Sequence, residues 1–334
     1  MAQYINANSV NIQTNVFKNN RNITSVDCNN VPWTDNSMHN AFQNCINLQN
    51  ASNINNNVTN MYRTFSNCLS LVNIPAIPNS VTNMAYAFLD CTNLVNAPKI
   101  PNSVTNMSYT FYNCRNLVNA PAIPNSVTNI YSTFENCRSL VNAPEIPNSV
   151  TDMGATFCDC YNLVNAPAIP SSVTKLRKTF SGCYNLVNTP EIPNSVTDIA
   201  MAFSSCRSLV NTPEIPNSVT DMYHTFVDCW NIRNISNIPN SVTNMSSTFQ
   251  YCNRLVNISN VKISDSVTNM ARAFQGCENL VNIFKIPDSV LDMLLTFQGC
   301  YKLVNAPVIS NSVVNMYSTF SFCNRLSTAP VIPN

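Results

Sequence analysis

Glycine is nearly missing from this chain: four in 334 residues, against twenty prolines. Four scattered glycines cannot build the loop that wraps backbone amides around a phosphate, which excludes nucleotide-binding folds of that kind. Histidine is scarcer still. His39 and His224 stand far apart, so no nucleophile–base pair and no histidine-led metal cluster follows from them. Charged residues make up 10% of the chain, well under the usual quarter, and seventeen basic against sixteen acidic residues leave +1. That balance carries no footprint for nucleic acid or an anionic lipid surface. No run approaches the ~18 apolar residues of a membrane span, so membrane insertion is not expected. The opening "MAQYINANSVNIQTNVFKNN" has no basic segment followed by an apolar one, so no secretory signal is visible.

What is present is repetition. Phe-x-x-Cys stands at Phe42/Cys45 and recurs every 23 residues through Phe249/Cys252. It resumes at Phe274/Cys277, Phe297/Cys300 and Phe320/Cys323, after "NISNVKISDSV" has inserted two residues. A worn copy precedes them, with Phe17, Asn20 and Ile23 in the Phe, Cys and Leu places, and "INANSVNI" at 5–12 echoes "IPNSVTNM". A period of this size denotes a solenoid. The expectation is a single array over residues 1–334, degenerate over 1–45 and regular over 46–334.

Within one copy, Met61, Phe65, Cys68 and Leu71 are spaced 4, 3 and 3, one apolar face of a short helical turn. Thr59 and Asn60 precede it, where a side-chain oxygen can satisfy the first free amides. Leu-Val-Asn reads as a very short parallel strand, ended by a proline that cannot donate to a ladder. The predicted fold class is therefore an α/β solenoid: a curved leucine-rich-repeat coil of about fourteen copies, stacked because one coil cannot bury a core alone.

The pattern Ile-Pro-x-Ser-Val-Thr followed by Phe-x-x-Cys-x-x-Leu resembles the BspA-like leucine-rich repeats of bacterial and protist surface proteins, with relatives in mycoplasma surface lipoproteins. Similar variants occur in proteins of gut bacteria and their phages. The resemblance implies a right-handed curved solenoid and adhesion or recognition outside the cell.

Thirteen of the fifteen cysteines occupy one repeat position, three residues before the core Leu. No Cys-x-x-Cys pair exists for zinc, and Cys158-x-Cys160 is the closest pair. The reading is a row of buried thiols acting as small apolar fillers. Asp152, Asp198, Asp221 and Asp292 alternate with Asn at one position, a helix-start role rather than catalytic carboxylates. No catalytic residue, cofactor or metal site is expected, and the chain is not expected to be an enzyme.

Function in a solenoid sits where the letters vary. One variable column follows Met: Tyr62-Arg63, Ala85-Tyr86, Ser108-Tyr109, Tyr131-Ser132, Arg177-Lys178, Tyr223-His224, Leu294-Leu295 and Tyr317-Ser318. The other follows Cys, where Leu69, Thr92, Asn253, Glu278 and Tyr301 flank Arg115, Arg138, Tyr161, Tyr184, Arg207 and Trp230. These last six are the ligand-binding candidates, being the residue types enriched at interface hot spots. They either form a binding stripe or merely cover the coil edge with their stems. A row of Val72, Val95, Val118, Val141, Val164, Val187 and Val210 should point out of the strand face, as a contact surface or as simple β-propensity.

Two functions are expected on this reading. The first is a non-catalytic recognition or adhesion solenoid at a cell or particle surface, binding protein or glycan. The alternative is a structural subunit of a phage virion or tail fibre, or of an extracellular filament. The chain begins and ends at nearly the same corner of the repeat, which also raises head-to-tail stacking of copies.

Overall fold

The computed structural model describes residues 17–29, 33–328 and 330. The echo at 5–12 and the terminal Val331–Asn334 lie outside them. Contacts gather the chain into two compact units, Met1–Leu163 and Val164–Asn334. Each is a stack of the same coil.

In the first unit, β1 (Ser25–Asp27) and β2 (Asn50–Ser52) pair in parallel, with Val26 opposite Ala51. Further along, each Leu-Val-Asn strand shrinks to a single parallel bridge at its Asn, as in Asn96 to Asn119 and Asn119 to Asn142. The proline two residues on has no N–H to extend it. A second line of bridges joins Asn60, Asn83, Asn106 and Asn129, just ahead of the Met column.

The 4-3-3 spacing predicts a helical turn, and the apolar face is there. The turn is not α-helical, however: among the described residues the one helix is a short 3-10 element at Thr34–Asn36. Backbone donors explain why. The amides of Met61, Arg63, Phe65 and Asn67 donate to Asn83, Ala85, Ala87 and Leu89 of the next coil. The alternate amides of Thr64, Ser66 and Cys68 donate back to Met61, Arg63 and Phe65 in their own coil. Tyr62 completes the series by donating to Asn60 Oδ1 at 2.9 Å. An α-helix consumes every interior N–H on itself. Here half are committed to the neighbouring coil, so only three-residue-separated turns can form.

Those turns require left-handed backbone at two places per coil. One is the residue before Cys, which is Asn44, Asn67, Asp90, Asn113, Asn136 and Asp159 in the first unit, all with φ between 57° and 64°. Asn and Asp tolerate this region by bonding locally, and glycine has no Cβ to clash. Three of the four glycines, Gly182, Gly276 and Gly299, stand at this same place in the second unit.

The core is a set of columns. Phe17, Phe42, Phe65, Phe88, Phe111, Phe134 and Phe157 stack face to face with centroids 5.3–5.7 Å apart. Phe17 thus places the worn copy in the stack. Met, Cys and Leu columns are fully buried beside them. Side chains stitch coil to coil. Thr110 and Thr133 donate to the carbonyls of Met84 and Met107. Ser103 and Ser126 donate to Val81 and Val104. Cys91, Cys114 and Cys137 donate through Sγ to Phe65, Phe88 and Phe111 at 3.1–3.2 Å. The cysteines are therefore more than fillers, since each thiol finds an acceptor one coil back.

The second unit repeats this arrangement. Phe180, Phe203, Phe226, Phe249, Phe274, Phe297 and Phe320 stack at 5.5–5.8 Å. The amides of Leu176, Lys178, Phe180 and Gly182 donate to Asp198, Ala200, Ala202 and Ser204. The two-residue insertion leaves the Phe column intact, with Phe249 and Phe274 5.5 Å apart. It is absorbed at the corner, where Ser264 bonds Ser266. Asp198, Asp221 and Asp292 accept the amide two residues on at 2.8–3.0 Å, the turn-starting role expected of that column.

Candidate functional site

The column after Cys is placed outward by a tight turn. The amide of Arg115 reaches back to the Asn113 carbonyl, that of Tyr184 to Gly182 and that of Trp230 to Asp228, each over two residues. Cysteine at the centre of that turn points inward, so the residue after it lies on the surface.

In the first unit, Arg115 and Arg138 each lock Nε onto the Asn two residues earlier, Asn113 and Asn136, at 2.8 Å. The Arg138 guanidinium lies 4.8 Å from the Tyr161 ring centroid. In the second unit, Arg207 sits between two rings on the neighbouring coils, 4.3 Å from Tyr184 and 4.2 Å from Trp230. Both distances are well inside cation–π range. Here Ser205 replaces the clamping Asn and makes no bond to the guanidinium, so Nε is buried without a hydrogen-bond partner. The structure thus brings Arg138 onto Tyr161 in the first unit and gathers Tyr184, Arg207 and Trp230 in the second, while Arg115 is held by Asn113 of its own coil.

A second cluster appears in the first unit, from the column after Met. His39 meets Tyr62 at 4.9 Å, Tyr62 meets Tyr86 at 5.5 Å, and Tyr86 stacks on Tyr109 at 4.6 Å. Tyr131 and Tyr112 join at Tyr109, and Arg63 lies over both Tyr62 and Tyr86. Burial, then the neighbouring phenols, raises the pKa of Tyr86 and Tyr109. Burial, then Arg63, lowers that of His39, which favours the neutral ring. The variable residues were visible in the sequence, but their contact was not. Tyr62 follows Met61 and Tyr131 follows Ile130, which fills the Met place, while Tyr86 and Tyr109 stand one place later; left-handed backbone at Tyr86 and Tyr109 turns them toward the others.

Val72, Val95, Val118 and Val141 are exposed in the first unit, as are Val164 and Val187 in the second, while each preceding Leu is buried. Val210 departs from the row and is half-buried. Open grooves of 440–510 Å³ recur along the proline-rich corners, for example between Pro190-Glu191-Ile192 and Pro213-Glu214-Ile215. They are shallow clefts between coils and bring no set of reactive groups together.

All fifteen cysteines are buried thiols. Burial pushes the Cys45 and Cys323 thiols up to about 11 and Cys277 up to about 12. Raised this far, they are poor nucleophiles and poor metal ligands at neutral pH. Among the described residues no three His, Cys, Asp or Glu side chains gather where they could hold a metal ion. Nor is any helix among them long and apolar enough to cross a membrane.

The fold and its surface columns define a leucine-rich-repeat scaffold. The model of the BspA-type leucine-rich-repeat region matches residues 3–118, 62–187, 176–293 and 255–334, with six copies, and the chain belongs to that family. Among solved structures it is similar to a leucine-rich-repeat protein of Bacteroides ovatus, with 23% identity, a TM-score of 0.62, and 91% of this chain and 78% of that one covered. A leucine-rich-repeat protein of Eubacterium ventriosum is also similar, with 18% identity, a TM-score of 0.60, and 94% and 86% covered. These likenesses bear on the fold. Comparison with curated proteins returns no match.

Proposed function

We propose that this protein is a non-catalytic recognition scaffold that takes a protein partner at a cell or particle surface through its post-cysteine column. Membership of a surface-type repeat family supports the class of role. The observation that carries the site is the interleaving of guanidinium and aromatic rings on successive coils, above all Tyr184–Arg207–Trp230. Stacking fixes long side chains before any partner arrives, which reduces the ordering cost of binding. Trp, Tyr and Arg so fixed are what interface hot spots are made of.

The test compares the unaltered protein with a variant carrying Ala at Tyr161, Tyr184, Arg207 and Trp230, in binding to a displayed peptide library and to a glycan panel. Native circular dichroism with lost peptide binding is expected of the variant. Undiminished binding would return the column to covering the coil edge. Binding confined to glycans would replace the protein partner with a carbohydrate.

A further inference from the structure

Arg207 differs from the other arginines of its column in one respect that has chemical meaning. Arg115 and Arg138 spend Nε on an Asn oxygen. Arg207 makes no such bond, because Ser205 stands where Asn would be, and its Nε is buried unpaired. Among the described residues no carboxylate pairs with it, no acceptor takes its terminal nitrogens, and the side chain as a whole is only half-buried. Two rings, with centroids 4.3 and 4.2 Å from Cζ, hold the guanidinium in place and half-bury it. A fixed, partly desolvated fork with unused donors is built for one kind of group, a planar oxyanion taken by two parallel N–H···O bonds.

Resting on the recognition role above, we propose that Tyr184, Arg207 and Trp230 form a receptor for a single carboxylate, supplied by an Asp or Glu side chain of a peptide partner. The surroundings argue for one carboxylate rather than a polyanion. The next two rungs of the column carry Asn253 and Glu278, and the whole chain has a net charge of only +1. A sulfated or uronic-acid polymer would next meet Arg254, whose Nη1 is already given to Asn231, and then Glu278. Trp230, 44% exposed, offers an apolar edge beside the charge, as suits a carboxylate flanked by an apolar side chain.

The probe is a displayed random-peptide library, followed by selected peptides made in Glu and Gln (or Asp and Asn) versions. Enriched peptides should share an acidic residue, and its amide version should bind about tenfold or more weakly. Arg207→Gln should weaken the acidic peptide equally but leave the amide peptide unchanged, a coupling that general surface damage does not produce. Arg207→Lys should recover only part of the loss, since a point charge lacks the fork. Circular dichroism of both variants checks folding. Peptides that bind equally well in acid and amide forms overturn the carboxylate assignment while leaving the recognition role standing. Acidic oligosaccharides bound in an Arg207-dependent way, with no peptide bound, overturn the peptide source. No binding of either probe overturns both.

Discussion

Raising the pH should unfold this protein, because its thiols cannot ionise in place. In the unfolded chain a thiol titrates near 9.0, whereas burial holds Cys45 and Cys323 near 11 and Cys277 near 12. Desolvation lifts Cys68, Cys91, Cys114, Cys137, Cys160, Cys229, Cys252 and Cys300 as well. The sign follows from which state gives up protons. Below pH 9 both states keep their protons and stability is intact. Above it the unfolded chain ionises and the folded one does not, so stability falls as pH rises toward the folded values. Each thiol then costs about 1 kcal/mol per pH unit above 9. Because eleven thiols act in the same direction, the loss grows steeply above pH 9 and is large against the stability of an ordinary domain. The assay follows circular dichroism and thiolate absorbance together, in reductant, from about pH 8 to pH 11. The two signals should change in one steep, coincident step between about pH 9 and 10.5, reversible on return. Native dichroism throughout, with thiolate absorbance rising gradually around pH 9, would show that the thiols are solvated and refute the buried column.

The glycines offer a paired test. A Cβ at Gly276 would lie 2.4 Å from the Tyr251 ring, whereas at Gly299 the nearest atom is 3.6 Å away. Both sit at positive φ, so Gly299→Ala should cost about 1–2 kcal/mol by chemical denaturation and Gly276→Ala roughly 1–3 kcal/mol more. Equal losses would show that the ring yields freely. Cys137→Ser should stay near the lower end of about 1–3 kcal/mol, because the hydroxyl inherits the Phe111 carbonyl as acceptor. A loss above that range would mean that apolarity alone matters there.

Much of the architecture was legible as spacing. Phe, Cys and Leu repeat in fixed phase, and the same letters form continuous buried columns. The turn is tighter than an α-helix, which the letters could not show, because a 4-3-3 apolar pattern reports which residues face inward, not where their amides go. That depends on neighbouring coils, which claim the N–H of Met61, Arg63, Phe65 and Asn67. The Asn, Asp or Gly before most of the column cysteines carried a readable sign of left-handed backbone, and it went unread; Ser205, Tyr251 and Phe322 adopt it without that sign. The post-cysteine column was visible as variation. The Arg207 sandwich needed the spacing between coils, although Ser205 in place of Asn marks that copy in the sequence. The tyrosine cluster was hidden because its members occupy two different offsets from Met.

The claim most exposed to test is that recognition lies in the post-cysteine column rather than on the tyrosine surface or the valine row. Hydroxyl-radical footprinting with a selected peptide bound separates the three directly. The account predicts protection of Tyr184 and Trp230, with Tyr62, Tyr86, Tyr109 and the exposed valines labelled as in the free protein. Protection of those tyrosines or valines, with Tyr184 and Trp230 unchanged, would contradict it.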